Sequence, residues 1–445
     1  MNLKLQLLVL ITVVIIASAV IVENSIKEKI FNVQVEFQNA IPRSINFTAF
    51  NQENQKIYEH NGNQTFFTIR SNENSIRIIV TSDYQKQANI EITQQNQTIT
   101  LENKPYDYLI FIPQGNYDAV QKELTDFEKQ KINENYTITT ILLSQDYAKQ
   151  IKEQIKNMKP KYALIIASEK TIPQQQKTNP LQNAADAQEF QSIIKTDWIT
   201  YSDSDYGVID AKNEYTPETI IGRIPFDNES DIAAYLENLK NRKNSVTDEI
   251  KSEDLKTSYY FLPDTKISPP IESYDDQLNK INTYDNQIRQ LFDNQLLYIT
   301  LHGNEPQTLQ QYYIGKSPGD GSEVITFDSE SLPEKINSII ITDACYSGKL
   351  DWQESLTKEM LLRGSPAFLG PTTSALAEVT LNSNQTIGSG SNKLLQEIKK
   401  NMEAGMTIGE SLDAARKTLD YTNEVNQLTS LQFAIYGDPS IKLTN

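Results

Sequence analysis

Cysteine occurs once in this 445-residue sequence, at Cys345, and histidine twice, at His60 and His302. A thiol attacks as its thiolate, and a neighbouring imidazole or helix N-terminus favours that form. His302 and Cys345 are 43 residues apart, each at the end of an apolar run: QLLYITLHG at 295 to 303 and NSIIITDACYSG at 337 to 348. If both runs are strands of one parallel sheet, their C-terminal ends open onto the same edge and the two residues meet there. A helix expected from about Gln353 to Arg363 follows closely enough to favour thiolate. Gly303 lets the backbone turn tightly after the histidine, and its amide, with that of Cys345, is expected to face the oxyanion of an attacked carbonyl. The chemistry predicted is acyl transfer with Cys345 as nucleophile and His302 as base. The bland alternative is a buried structural cysteine and an incidental histidine, against which both residues lie beside glycine-containing turns. His60, in Glu59-His60-Asn61-Gly62, reads as a solvated turn histidine.

Composition narrows the remaining classes. A lone cysteine forms no intramolecular disulfide, and so few His and Cys exclude a zinc site built from them, although an oxygen-ligated calcium site stays open. The expected chemistry needs neither metal nor organic cofactor. A formal charge of −17 and a pI near 4.7 oppose nucleic acid as a partner, because phosphate contacts need clustered Lys and Arg. The chain is long enough for two or three cores, and 38% hydrophobic residues with only 16 Gly and 17 Pro predict a folded protein.

The elements that must position the pair follow two grammars. Between about 30 and 103, short alternating runs such as FNVQVEF, SINFTAF and SIRIIVT predict half-buried strands in a small β-sandwich. Beyond Pro105, apolar strands alternate with helical stretches: YDYLIFIP, TITTILLS, KYALIIAS, then ETIIGRIPF after a polar excursion over 169 to 215. That pattern predicts a parallel sheet covered by helices. Charged residues 241 to 256 read as a hinge, after which the α/β grammar resumes and LQFAIYGDPS closes the sheet. The domains expected are 24 to 104 as the β-sandwich, 105 to 250 as a first α/β subdomain and 251 to 445 as a second, catalytic one.

The first 23 residues are a separate matter. The run LLVLITVVIIASAVIV at 7 to 22, with Lys4 before it, predicts export, either as a cleaved signal ending near Ala17-Ser18-Ala19 or as an anchor holding residues 5 to 22 in a membrane. Lys27 and Lys29 leave cations on both flanks, so charge alone does not set orientation. Asn-x-Ser/Thr triplets starting at Asn46, Asn63, Asn96, Asn135, Asn228 and Asn384 are consistent with an exterior location.

LHG at 301 to 303 and DACYSG at 343 to 348 together resemble the caspase and gingipain superfamily of cysteine peptidases. Gingipains are the closer likeness: TYSDSDYGVID at 200 to 210 leads into ETIIGRIPF, and YGDPSIKL at 436 to 443 resembles the ending of that catalytic domain. The resemblance covers roughly 105 to 443. It implies a caspase-like α/β fold in two subdomains, endopeptidase activity on protein or peptide substrates, Cys345 as nucleophile, His302 as general acid/base and the Gly303 and Cys345 amides as oxyanion donors. Asp343 matches the motif as well, in a structural role at the strand-to-loop turn. The β-domain precedes the catalytic domain here, an order unlike that of the best-known gingipains.

A third catalytic acid is expected in the loop after TSYYFLP, where Asp264 comes first, and Glu272, Asp275 and Asp276 farther along are candidates to line a pocket for a basic P1 side chain. Two other functions fit the same sequence: a surface transpeptidase that resolves the thioester with an amine, and a non-catalytic surface adhesion protein.

Overall fold

The computed structural model describes residues 12–14, 29–37, 45–62, 64–71, 75–82, 87–93, 96–101, 106–184, 191–242, 252–256, 291–304, 310–316, 323–379 and 388–443. The chain divides into two compact units: Met1–Tyr106 with Lys156–Lys159, and Asp107–Ile155 with Pro160–Asn445. The expected junctions at 104/105 and 250/251 lie outside the described residues.

The smaller unit holds two four-stranded sheets. One runs Thr12–Val14, Asn96–Leu101, Lys29–Phe37, Phe66–Ser71; the other runs Lys56–Gly62, Ile45–Phe50, Ile76–Ser82, Ala88–Ile92. Period-two alternation sends one side chain in two inward, as in Ile76, Ile78 and Val80, and the two inner faces share one core with Phe31, Val33, Phe47 and Phe67. The Phe47 and Phe67 rings stack at 3.9 Å between centroids across the sandwich. Truncating either to Ala should cost about 3–5 kcal/mol. His60 departs from expectation: it lies within the strand Lys56–Gly62, half-buried, with its ring 5.5 Å from Phe67, because the alternation continues through Tyr58 and His60 instead of breaking into a turn. Of the apolar N-terminal run only Thr12–Val14 is described, as a strand antiparallel to Asn96–Thr98. Among the described residues no helix is long and apolar enough to cross a membrane.

The larger unit is built on a nine-stranded sheet. In chain order its strands are Tyr108–Pro113 (β1), Ile138–Leu143 (β2), Tyr162–Ile166 (β3), Ile220–Ile224 (β4), Ser252–Lys256 (β5), Leu296–Thr300 (β6), Ile339–Thr342 (β7), Ala367–Pro371 (β8) and Phe433–Gly437 (β9), and their spatial order is 2-1-3-4-9-8-7-6-5. Strands β1, β3, β4, β7, β8 and β9 are buried throughout, as expected of a sheet covered on both faces. At β4 the partly exposed Ile220 is the one exception.

Two features correct the sequence reading. The sheet consists of two parallel halves of opposite direction, since β9 pairs parallel with β4 but antiparallel with β8. The last strand therefore completes the sheet by joining the halves at its centre. His302 and Cys345 both belong to the β5–β8 half, so their shared edge survives the correction. The polar stretch 169 to 215 also carries structure: Gln175–Thr178 pairs antiparallel with Ile199–Ser202, and a fully buried ion pair ties the next residue, Asp203, to the sheet. Arg223 on β4 donates from Nε and Nη2 to the two Asp203 carboxylate oxygens at 2.7 and 2.6 Å, and from Nη1 to the Ala167 carbonyl. A buried guanidinium is tolerable only with its donors satisfied in this way.

Candidate active site

Strands β6 and β7 set the geometry. They are parallel neighbours with Ile299 facing Thr342, and both His302 and Cys345 lie three residues beyond that pair. Adjacent strands are about 4.8 Å apart, so equal offsets bring the two segments together at one edge. The contact is direct at Gly303: a Cβ there would fall 1.8 Å from the Cys345 carbonyl oxygen and 3.0 Å from its amide nitrogen, so only glycine fits. His302 and Gly303 open a small antiparallel sheet with Tyr313–Lys316 and Glu323–Phe327. Asn304 closes the intervening loop, donating from Nδ2 to the Gln310 carbonyl and accepting at Oδ1 from the Tyr312 amide.

Cys345 stands in a tight turn over 345–348, not at a helix N-terminus. The following helix, Leu356–Leu362, begins eleven residues later with Ser355 as its cap, which corrects the expectation of helix-assisted ionisation. Tyr346, directly after the cysteine, has φ +58°, a conformation costly for a bulky residue and held only by its surroundings. Those surroundings are extensive. Gln311, buried in the hairpin that follows His302, donates from Nε2 to the Tyr346 and Ser347 carbonyls at 3.1 and 3.2 Å and accepts from the Leu356 amide. Thr357 donates to the Ser347 carbonyl, the Tyr436 hydroxyl to that of Gly348, and the Gly348 amide to Pro371.

The thiol environment is the opposite of the one expected. Cys345 as a residue is half-buried, but burial of its sulfur pushes the thiol up to about 11; the Ala375 amide, donating to Sγ at 3.3 Å, works against this, while Asp343 and Asp197 add to it. Asp343 leaves β7 with its amide donating to the Ile299 carbonyl of β6 at 3.4 Å. Asp264, Glu272, Asp275 and Asp276 lie outside the described residues.

Two residues at this edge were missed from sequence: Tyr346, whose backbone strain no motif announces, and Asp197, which the hairpin over 175 to 202 delivers from 148 residues upstream of the cysteine. Asp197, Trp198, Tyr201, Tyr346, Lys349 and Thr373 are among the residues lining a cavity of about 220 Å³ beside the turn, with Trp198 61% exposed at its rim.

The α/β sheet covered by helices is the fold of caspase-like proteins, and the segments carrying His302 and Cys345 leave adjoining strands of it. The sequence model of peptidase family C25 matches residues 101–444. The chain belongs to that family, the gingipains, and is a cysteine endopeptidase acting on protein or peptide substrates. Among solved structures, the Arg-specific cysteine proteinase gingipain R is similar over 77% of this chain and 79% of its own, with TM-score 0.51 and 17% identity, a likeness of fold. The complex of RgpB pro- and mature domains from Porphyromonas gingivalis matches at TM-score 0.47 and 16% identity over 76% of this chain and 79% of the other. No curated protein matches the sequence.

Proposed function

We propose that the chain is an exported endopeptidase in which Cys345 is the nucleophile and His302 its general base and acid. The observation supporting this most is the equal offset of the two residues from the Ile299–Thr342 pair, with Gly303 packed on the Cys345 backbone. A thiol held near 11 is protonated at rest, so His302 takes its proton as the sulfur attacks the peptide carbonyl. The oxyanion then forms against the Gly303 and Cys345 amides. Collapse expels the amine, which leaves with the proton from His302, and water, activated by the same imidazole, hydrolyses the thioester. Asp264 as a third acid and Glu272, Asp275 and Asp276 as a basic-P1 pocket belong to the same proposal, as does export, with residues 5–22 either removed as part of a signal or kept as an anchor.

Cleavage of a peptide library by the wild-type chain and by Cys345→Ala and His302→Ala tests the assignment. Loss of on the order of 10⁴-fold or more in kcat is expected for the cysteine variant. Wild-type rates in either variant would refute it, and joined instead of hydrolysed products would identify a transpeptidase.

A further inference from the structure

We infer that Asp197 is a positioning residue for the nucleophile turn, holding Tyr346 and the loop at 373–375 that follows β8 in the arrangement that aims the Ala375 amide at the Cys345 sulfur. This inference rests on the reading of Cys345 as the nucleophile. Asp197 is 5% exposed and its own backbone is fixed: the amide donates to the Ile193 carbonyl at 2.7 Å, and its carbonyl accepts from Asn179 Nδ2 at 2.8 Å. One carboxylate oxygen, Oδ2, then accepts from two elements at once, from the Tyr346 hydroxyl at 3.0 Å and from the Ser374 amide at 2.9 Å.

Both donors are neighbours of the chemistry. Tyr346 follows Cys345 with φ +58°, so its backbone stays there only while the ring and amide are anchored; its amide donates to the Thr373 carbonyl at 3.1 Å and its hydroxyl also meets Ser374 Oγ at 2.8 Å. Ser374 precedes Ala375, whose amide donates to Sγ at 3.3 Å. Asp197 is thus the common anchor of the two segments that flank the sulfur. A charge-assisted acceptor suits this task because it holds two donors more strongly than a neutral oxygen. Its negative charge also disfavours the thiolate, so its presence beside the sulfur is better accounted for by geometry than by electrostatics.

That opposition supplies the test. Asp197→Ala removes both anchor and charge, whereas Asp197→Asn removes the charge and keeps an acceptor oxygen. Cys345 is the only cysteine, so alkylation of the full chain by iodoacetamide at pH 7.5 reports on it without substrate. Peptide kcat and KM are read alongside, with thermal melting for each variant. Expected for Asp197→Ala is alkylation at least fivefold slower than wild type and kcat at least tenfold lower, with KM within threefold. Asp197→Asn should alkylate at or above the wild-type rate and recover kcat to within about threefold. Tyr346→Phe, which deletes one hydroxyl donor and no charge, should shift both rates in the direction of Asp197→Ala, and it carries the test if the alanine variant does not fold. Equal changes in the Ala and Asn variants, or unchanged rates in Ala and Phe, would overturn the inference. Peptide cleavage that persists in Cys345→Ala would instead remove the reading beneath it, leaving the alkylation result to stand by itself.

Discussion

The α-carbon of Gly303 is packed so closely on Cys345 that a methyl group added to it would sit 1.8 Å from the Cys345 carbonyl oxygen and 2.8 Å from the carbonyl carbon. The neighbour is backbone and cannot swing aside, so the residue after His302 and the nucleophile turn are fixed against each other. Gly303→Ala should therefore displace one segment and lower kcat by at least 100-fold, with only a modest loss of thermal stability, because the site lies at the sheet edge. Equal damage to kcat and to melting temperature would mean that the contact is merely structural.

The Cys345 thiol gives a pH signature. Its folded value of about 11 lies above the ordinary value near 8.5. A group whose folded pKa is raised contributes stability that is complete below about 8.5 and is lost as pH rises toward 11. Relative to Cys345→Ala, the wild-type chain should thus lose stability across that window and show a constant difference below it. In His302→Ala, alkylation by iodoacetamide at pH 7 should be about 100-fold slower than for an unperturbed thiol and should climb up to pH 11. A midpoint near 8.5 in that variant would contradict the burial argument.

Arg223 and Asp203 fasten the hairpin over 175 to 202, and with it Asp197, to β4. Removing one partner leaves the other charged and buried, a cost of about 3–5 kcal/mol. Arg223→Met should lower stability by that amount in chemical denaturation and reduce kcat as well. A loss below 1 kcal/mol would show that water reaches the pair.

Asp438 carries a stability prediction of opposite sign. Although burial raises its pKa, Lys131 at 2.7 Å and the Ser440 amide and hydroxyl hold the carboxyl below its usual range. Stability from a depressed acid is present above about pH 4 and is lost as pH falls through the folded value. Asp438→Asn should therefore flatten the acid limb of the stability curve, and an unchanged limb would argue against this ion pair.

Neutralising Glu272, Asp275 and Asp276 together with Gln and Asn should abolish any preference for Arg or Lys at P1 in a cleavage-site profile. Unchanged cleavage after basic residues would remove those three side chains from the pocket.

Much of the site was legible because apolar runs ending in LHG and DACYSG already specify two strand ends, and strand ends of one parallel half share an edge. The sheet's reversal was not legible: the run FAIYG is equally apolar whichever way its neighbours run, and only its pairing, parallel with β4 and antiparallel with β8, decides. The helix expected from about Gln353 to Arg363 is present but starts later, at Leu356, because the Ser355 side chain caps it by accepting from the Lys358 amide. Asp197 was not legible because solvated acids are the rule in polar stretches; its carboxylate accepts from the hydroxyl of Tyr346, 149 residues farther along the chain.

Intact-mass analysis after exposure to a peptidyl acyloxymethyl ketone, which captures a nucleophile poised beside a bound peptide, tests the pairing of Cys345 with His302 most directly. One adduct on the wild-type chain is predicted, mapped to the peptide containing Cys345, absent in Cys345→Ala and at least 100-fold slower in His302→Ala. An adduct elsewhere in a chain that cleaves peptides, or labelling indifferent to His302, would contradict it.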